Sequence, residues 1–414
     1  MAVAKKTFHM ITRTDYLKQI KPFIDKPFIK VLMGVRRCGK SSILQLLEEE
    51  LIKTGVGEQR IILINFERFA YSQIDTAEKL YAYLQKRIGD SERHYILLDE
   101  VQEVKSWEKT INALTIDFNV DLYITGSNSR LLSSELATYL AGRYIEIHVY
   151  TLSFKEYLYF KEQRKPGVYI SNHDAFQMYL KIGGFPVLHT LDYPIETSWK
   201  IVFDIYSSAI LRDTVQRHKI RDVELLERVV SFVFDNIGNS FSAKNVADFF
   251  KSQQRKIDLN TVYNYLHALE SACIIYRTPR YDVKGKEVLK TFEKYYVCDH
   301  SLIHALMGYR GRMISGLLEN IVMLELRRRG YKVFVGKLDT KEIDFIAELK
   351  DKKIYIQVCY LISEQSTIDR EFASLLAIRD NYPKYIVTMD QSWKDNVEGI
   401  QVVYIADFLL MKDY

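Results

Sequence analysis

Four residues at fixed spacing, Gly34, Gly39, Lys40 and Ser41 in the run Gly34-Val35-Arg36-Arg37-Cys38-Gly39-Lys40-Ser41, could do phosphate chemistry. Gly34 and Gly39 permit backbone angles and close approaches that a Cβ would block, so successive N–H groups can turn toward an anion. A helix beginning near Gly39 would add its unsatisfied N–H groups and the positive end of its dipole. Lys40 would place a charge on the β- and γ-phosphates of a nucleoside triphosphate, and the Ser41 hydroxyl would complete a Mg²⁺ shell. Arg37, Cys38, Gly39 and Ser42 would contribute main-chain amides, which leaves the Arg36 and Arg37 side chains no necessary part in the cradle. A second pair, Asp99-Glu100, follows four apolar residues. There Asp99 could hold Mg²⁺ through its water shell, and Glu100 could orient and polarise an attacking water.

These groups meet only if particular elements position them. The apolar run 28–33 predicts a strand, and the apolar spacing of 42–48 predicts the helix that the loop must open. Residues 60–66 are continuously apolar, as a parallel strand buried on both faces would be. A helix around 77–88 and a strand over 95–98 follow, so the acid pair arrives one strand-helix unit after the loop. Residues 121–126 predict another strand, ending at Ser127 and Asn128. If it lies between the loop strand and the acid strand, Ser127 or Asn128 would sense the γ-phosphate; the alternative is a polar turn capping a helix at 130–139. Residues 140–149 predict a fifth strand. Arg143 is the candidate for a cation at the γ-phosphate, in cis or from a neighbouring subunit, with an ordinary surface arginine as the alternative.

Composition narrows the setting. A chain of 414 residues predicts two to three domains, and 7 prolines and 18 glycines argue against a long flexible linker. Net charge of +5 is compatible with nucleic acid as a partner without demanding it. Cys38, Cys273, Cys298 and Cys359 lack paired or metal-ligand spacing and read as reduced thiols. Residues 1–10 are basic without an apolar core, and no apolar run is long enough to span a bilayer. The expectation is a cytoplasmic protein with no membrane partner.

Together, the loop with its Val-Arg-Arg-Cys filling, Leu97-Leu98-Asp99-Glu100-Val101-Gln102-Glu103, Trp107-Glu108, Thr125-Gly126-Ser127-Asn128-Ser129, Gly142-Arg143-Tyr144 and Leu152-Ser153-Phe154-Lys155-Glu156-Tyr157 resemble prokaryotic AAA-type ATPases carrying a C-terminal nuclease-like domain. The implied fold class is α/β. It comprises a P-loop AAA-type parallel sheet of the additional-strand branch over 1–151, a helical lid over 152–221, a winged helix over 222–300 and a PD-(D/E)XK-like domain over 301–414. The implied cofactors are ATP and Mg²⁺, and the implied activity is ATP hydrolysis. In the lid, which Gly183-Gly184-Phe185-Pro186 interrupts, Arg212 is either a second nucleotide sensor or part of a structural salt bridge.

In the winged helix, 258–270 is read as a recognition helix. Asn260, Tyr263 and Asn264 would face a DNA major groove, with Lys251, Arg255, Lys284 and Lys286 on phosphates. The alternative is a protein-interaction module, with a second copy of the chain or another protein as partner. At the C-terminus the resemblance sets Glu319, Asp344 and Gln357 at the three acid positions and Cys359 where a lysine belongs. A neutral Gln357 weakens a hard-cation site, and a thiol cannot supply the missing positive charge. A fold kept for binding is therefore expected. The alternative, ATP-gated metal-dependent DNA cleavage, would need Lys341 or Lys353 to replace the lysine.

Overall fold

The apolar run at 28–33 becomes β1 (Ile29–Met33) in a computed structural model that describes residues 11–89, 92–127, 142–252, 254, 257–362, 365–392 and 396–414. All five β1 residues are buried, Lys30 among them, because its ammonium pairs with the equally buried Asp121. Asp121 is further held by the Tyr123 hydroxyl at 2.7 Å and the Asp25 amide at 3.0 Å, so neither charge is left alone in the core. β2 (Ile61–Asn65), β3 (His94–Asp99), β4 (Val120–Gly126) and β5 (Tyr144–His148) join β1 in a parallel sheet of order β2-β3-β4-β1-β5 among the described residues. β3 is buried along its whole length, as its apolar run requires. The helices Lys40–Lys53, Ala77–Gln85 and Trp107–Asp117 carry the crossovers, and Leu80, Leu84, Ile111 and Leu114 pack with Ile96, Leu98 and Ile124 in one core.

The chain forms two compact units, the first containing residues up to Val149 together with Ser271–Cys273, the second the remainder. The second unit opens with helices Phe154–Arg164, Asn172–Ile182 and Ile195–Ser208, the last continuing as a π-helix over Ala209–Gln216. Ser153 starts the first of these as a capping box, its hydroxyl accepting from the Glu156 amide at 3.0 Å while its own amide donates to the Glu156 carboxylate at 2.9 Å. The Gly183-Gly184 break is a close approach: Gly183 has φ +83°, a Cβ there would lie 2.2 Å from Asp299 Oδ1, and the Gly184 amide donates to Asp299 at 2.8 Å. The segment expected as a separate lid thus shares its core with C-terminal residues. Imidazole nitrogens of His300 and His304 meet the carbonyls of Tyr179 and Leu180 at 2.8 and 2.9 Å.

Helices Val223–Asp235, Ala243–Ser252 and Leu259–Ser271 follow, then a hairpin of β6 (Ile275–Asp282) and β7 (Glu287–Val297). The Ser242 hydroxyl caps the second of these helices through the Asn245 amide at 3.1 Å. Beyond helices Ser301–Met307 and Ile314–Arg328 come β8 (Lys332–Leu338), β9 (Lys341–Leu349), β10 (Lys352–Cys359), helix Gln365–Leu376, β11 (Lys384–Thr388), β12 (Asn396–Val397), β13 (Ile400–Tyr404) and helix Ile405–Leu410. The hairpin expected as the wing of an independent domain is continuous with this sheet. β6 pairs in parallel with β8 through Arg280–Asp282, giving the order β12-β13-β11-β10-β9-β8-β6-β7 among the described residues. The helix Ile314–Arg328 is buried along nearly its whole length. Its Asn320 amide both donates to and accepts from the main chain of Val297, satisfying the edge strand β7 at 3.0 and 2.7 Å.

Candidate functional site

Gly34 leaves the C-terminal end of β1 so close to the next crossing that a Cβ would sit 2.1 Å from the Val149 carbonyl oxygen. The loop then turns through Arg37 at φ +65° and Gly39 at φ +103°, and the helix Lys40–Lys53 begins at Gly39 with no side-chain cap. Its first amides therefore stay available to an anion, which is what a phosphate cradle requires. Arg13, 3% exposed and not singled out by its sequence context, donates to the Cys38 carbonyl at 2.8 Å and braces the loop from behind. Lys40 is buried, with its ammonium on the carbonyls of Gly34 at 2.9 Å and Val35 at 3.2 Å and 3.9 Å from the Glu100 carboxylate. Burial opposes its charge, yet the groups around it (Cys38, Glu100, Cys273 and Asp99) hold the ammonium above the usual lysine value. Burial pushes the Cys38 thiol up, while the neighbouring Lys40 and Arg13 oppose that rise.

The acids are positioned by strand order. β4 lies between β1 and β3, with Thr125 beside Leu32 and Ile124 beside Leu98, so Thr125 stands at the mouth of the cleft between loop and acids. Its hydroxyl donates to Asp99 Oδ1 at 2.6 Å and accepts from the Glu100 amide at 2.9 Å. Asn65, at the end of β2, donates to the other Asp99 oxygen at 2.5 Å. Burial raises the Asp99 carboxyl, while hydrogen bonds from Thr125 and Ser41 oppose that rise. The Ser41 hydroxyl and Asp99 carboxylate are thus hydrogen-bonded partners, a pair of hard oxygen donors suited to Mg²⁺. Glu100 adopts the left-handed conformation (φ 56°, ψ 48°), and Gln102 donates to its carboxylate. A non-glycine residue held there costs about 1–2 kcal/mol, which its hydrogen bond to Thr125 helps offset.

Lys40, Ser41, Asp99 and Glu100 are brought together, and Ser127 follows the β4 end that pairs with Met33. Ser42 lies in the first turn of the loop helix, half-buried; Asn128 and the helix expected at 130–139 lie outside the described residues. Arg143 is not brought to the cluster. Tyr144 registers with Ile29, and the Ile29 amide donates to the Arg143 carbonyl at 2.9 Å. That is the N-terminal end of β1, roughly 16 Å along the strand from the loop at five residues of about 3.3 Å each. The parallel register therefore removes the cis role. Arg212 is half-buried in the π-helix, which also carries Asp213, paired with Arg217 at 3.3 Å. The sequence assigns no site role to Thr125, Asn65 or Arg13; for Thr125 the signal is its place at the end of a strand bordering the loop strand.

A second polar cluster lies in the second unit. Alternation along β7 puts Lys294 and Tyr296 on one face, and both reach Glu319 Oε2 at 3.1 Å. Alternation along β9 likewise presents Glu342 and Asp344 to Lys294 at 2.9 and 3.4 Å. Burial pushes the Glu319 carboxyl up to about 8 and raises Asp344. Burial opposes the charge on Lys294, but Glu319, Tyr296, Asp344 and Glu342 hold it well above the ordinary lysine range. Gln357 accepts from the Asp344 amide at 3.3 Å, and burial drives the Cys359 thiol up to about 12, so it stays uncharged. Lys341 donates to the Ala373 carbonyl and Lys353 pairs with Glu348 at 2.7 Å, so the lysine that reaches the acids is neither of those expected but Lys294. Among the described residues, no group of three or more His, Cys, Asp or Glu has the geometry of a metal site.

A family model described as an AAA domain matches residues 26–158, and one described as a domain of unknown function matches 173–312. An uncharacterised protein of Haemophilus influenzae is 40% identical over 402 residues, covering 97% of this chain and 99% of that one. The chain belongs to its family. A Methanocaldococcus jannaschii protein, MJ1544, is 31% identical over 92% of this chain and 85% of its own length. The first unit is a P-loop domain of the AAA type. Among solved structures, the Walker-type ATPase PABY2304 of Pyrococcus abyssi is similar at 16% identity, with a TM-score of 0.48 over 72% of this chain and 95% of that one. The Aeropyrum pernix ORC1 protein, solved in complex with DNA, is similar at 15% identity, with a TM-score of 0.31 over 72% and 92%. Among the described residues, no helix is long and apolar enough to cross a membrane.

Proposed function

We propose that this protein binds ATP at the loop 34–41, hydrolyses it with Mg²⁺, and uses the cycle to switch modules in its second unit that bind DNA or protein. The observation that supports this reading is the meeting of Lys40, Ser41, Asp99 and Glu100 at one end of a parallel sheet, with Thr125 bonded to both acids. In this reading the amides of Arg37 to Ser42 cradle the phosphates, and Lys40 turns from the Gly34 and Val35 carbonyls to the β- and γ-phosphates. Ser41 and Asp99 hold Mg²⁺, which when bound neutralises charge on the phosphate oxygens. Glu100, fixed by Thr125 and Gln102, accepts a proton from the attacking water and aligns it. The DNA side of the switch is supported by Asn260, Tyr263 and Asn264, which are exposed along one helix, although Asn260 is partly engaged by Asp258 at 3.4 Å. The ion-paired state of Glu319, Glu342 and Asp344 with Lys294 favours a binding role over metal-dependent cleavage for that domain.

The test is Glu100→Gln. It should cut ATP turnover by roughly 10²-fold or more while nucleotide affinity stays within about threefold, as expected for losing a positioned base. Turnover at the parental rate would defeat the assignment.

A further inference from the structure

The second unit contains a cavity of about 900 Å³, remote in sequence from the loop and acid pair, that neither the family matches nor the ATPase reading explains. Four segments build it: the β6–β7 hairpin, the β8–β9 turn, the start of β10, and the chain between helix Gln365–Leu376 and β11. Its lining carries four cations, Lys284, Lys286, Lys353 and Arg379, against two acids, Asp339 and Asp380. Two of the cations are partnered: Lys284 with Asp339 at 2.7 Å, and Lys353 with Glu348 at 2.7 Å. Lys286 and Arg379 are exposed and pair with no acid among the described residues. The hairpin that presents the lysines is ordered, because Asp282 Oδ1 accepts from the amides of Lys284 and Gly285 at 3.0 and 2.9 Å.

Aromatic faces complete the lining. Lys353 sits 5.6 Å from the ring centre of Tyr281 and 5.8 Å from that of Tyr382, holding both rings at the cavity wall. The Tyr355 hydroxyl is tied to Asp380 at 2.6 Å, whereas Tyr382 remains 43% exposed. Flat rings beside unpaired cations in an enclosure of this volume match a base and its phosphate. An acidic peptide would use the cations and leave the rings idle.

We infer that this cavity binds a nucleotide unit, its base stacked on Tyr382 and its phosphate on Lys286 and Arg379, presented by a single-stranded nucleic acid or as a free nucleotide. The inference does not depend on the ATPase reading. The test is fluorescence anisotropy of the full chain with labelled oligothymidylate of about 15 nucleotides, without ATP, so that it can fail while ATP turnover stands. Thymidine monophosphate and polyglutamate serve as competitors.

Tyr382→Ala should weaken binding at least fivefold or so, the lower end for loss of one stacked base, and Tyr382→Phe should retain affinity because the ring is kept. Lys286→Ala with Arg379→Ala should lower the slope of log affinity against log salt by about 0.7, the value for one phosphate neutralised on a single strand. All three residues are exposed, so parental melting curves are expected. Competition by the oligonucleotide alone identifies a strand as the source, and equal competition by the mononucleotide identifies free nucleotide. Parental affinity in Tyr382→Ala and in the double variant, or displacement by polyglutamate as effective as by the oligonucleotide, would overturn the inference.

Discussion

Thr125→Val separates a cleft organised by β4 from one in which the acids act alone. The substitution keeps the branched shape and removes the hydroxyl, so Asp99 loses a donor at 2.6 Å and the Glu100 amide loses its acceptor at 2.9 Å. A hydrogen bond to a charged group contributes about 1.5–3 kcal/mol, and an orphaned buried amide costs about 1–3 kcal/mol. The expected destabilisation of the first unit is therefore about 3–5 kcal/mol by chemical denaturation. Function should suffer separately. Glu100 sits in the left-handed region, and without the Thr125 acceptor it is free to relax toward ordinary backbone angles, carrying its carboxylate away from the cleft. We expect turnover of Mg-ATP to fall roughly 10²-fold, a large part of what a positioned base supplies. Burial already raises Asp99 and the Thr125 hydrogen bond opposes that rise, so its loss moves the carboxyl further up. The acid limb of the pH–rate profile should therefore shift to higher pH. Thr125→Ser keeps both bonds and should restore rate and profile. Phosphate release across pH, with nucleotide affinity measured alongside, decides the matter. A valine variant with parental turnover and an unshifted acid limb would refute the reasoning.

The second unit yields two further predictions. In Lys294→Met, three acids lose their common cation, and stability should drop by about 3–5 kcal/mol. Burial pushes Glu319 up to about 8 in the folded chain, above the ordinary glutamate value of 4.5. Its contribution is thus present at low pH and lost as pH rises through the folded value, and removing the cation deepens that loss. The variant's deficit in urea midpoint should be larger near pH 9 than near pH 6; an equal deficit at both would count against the cluster's charge state. Burial lowers His189 and His304 to about 4, each with one ring nitrogen on a carbonyl at 2.8 or 2.9 Å. Unfolded histidine takes its proton near 6.5, so stability should fall as pH drops from there toward 4, by up to about 3 kcal/mol per residue. Denaturation followed by Trp199 fluorescence, whose indole lies 5.8 Å from His304, would show it; a midpoint unchanged between about pH 7 and pH 4.5 would exclude it.

Much of the first unit was legible because its signals are local. Gly34, Gly39, Lys40 and Ser41 lie in one eight-residue stretch, and the strands flanking them are continuous apolar runs whose burial follows from composition alone. The ends of those strands are less legible. Lys30 interrupts such a run and is buried with Asp121, 91 residues on, an exchange of charge that no window of sequence displays. Arg143 shows the same limit from the other side. Its neighbours predicted a strand correctly, but the parallel register, set by pairing with β1, put the residue at the wrong end of the sheet.

The sequence by itself determined that a glycine-bounded loop would open a helix and that a strand would end in two acids, since both depend on backbone geometry and burial within a few residues. Only the tertiary structure decided which distant groups complete each cluster. Thr125 bonds both acids because β4 inserts between β1 and β3. Lys294 sits among carboxylates 25 to 50 residues away because β7 and β9 turn facing sides inward, and Tyr281 meets Tyr382 across Lys353 because β6 joins the C-terminal sheet. Contacts of that range are chosen by strand pairing and packing, which depend on the whole fold at once and leave no periodic trace in the chain.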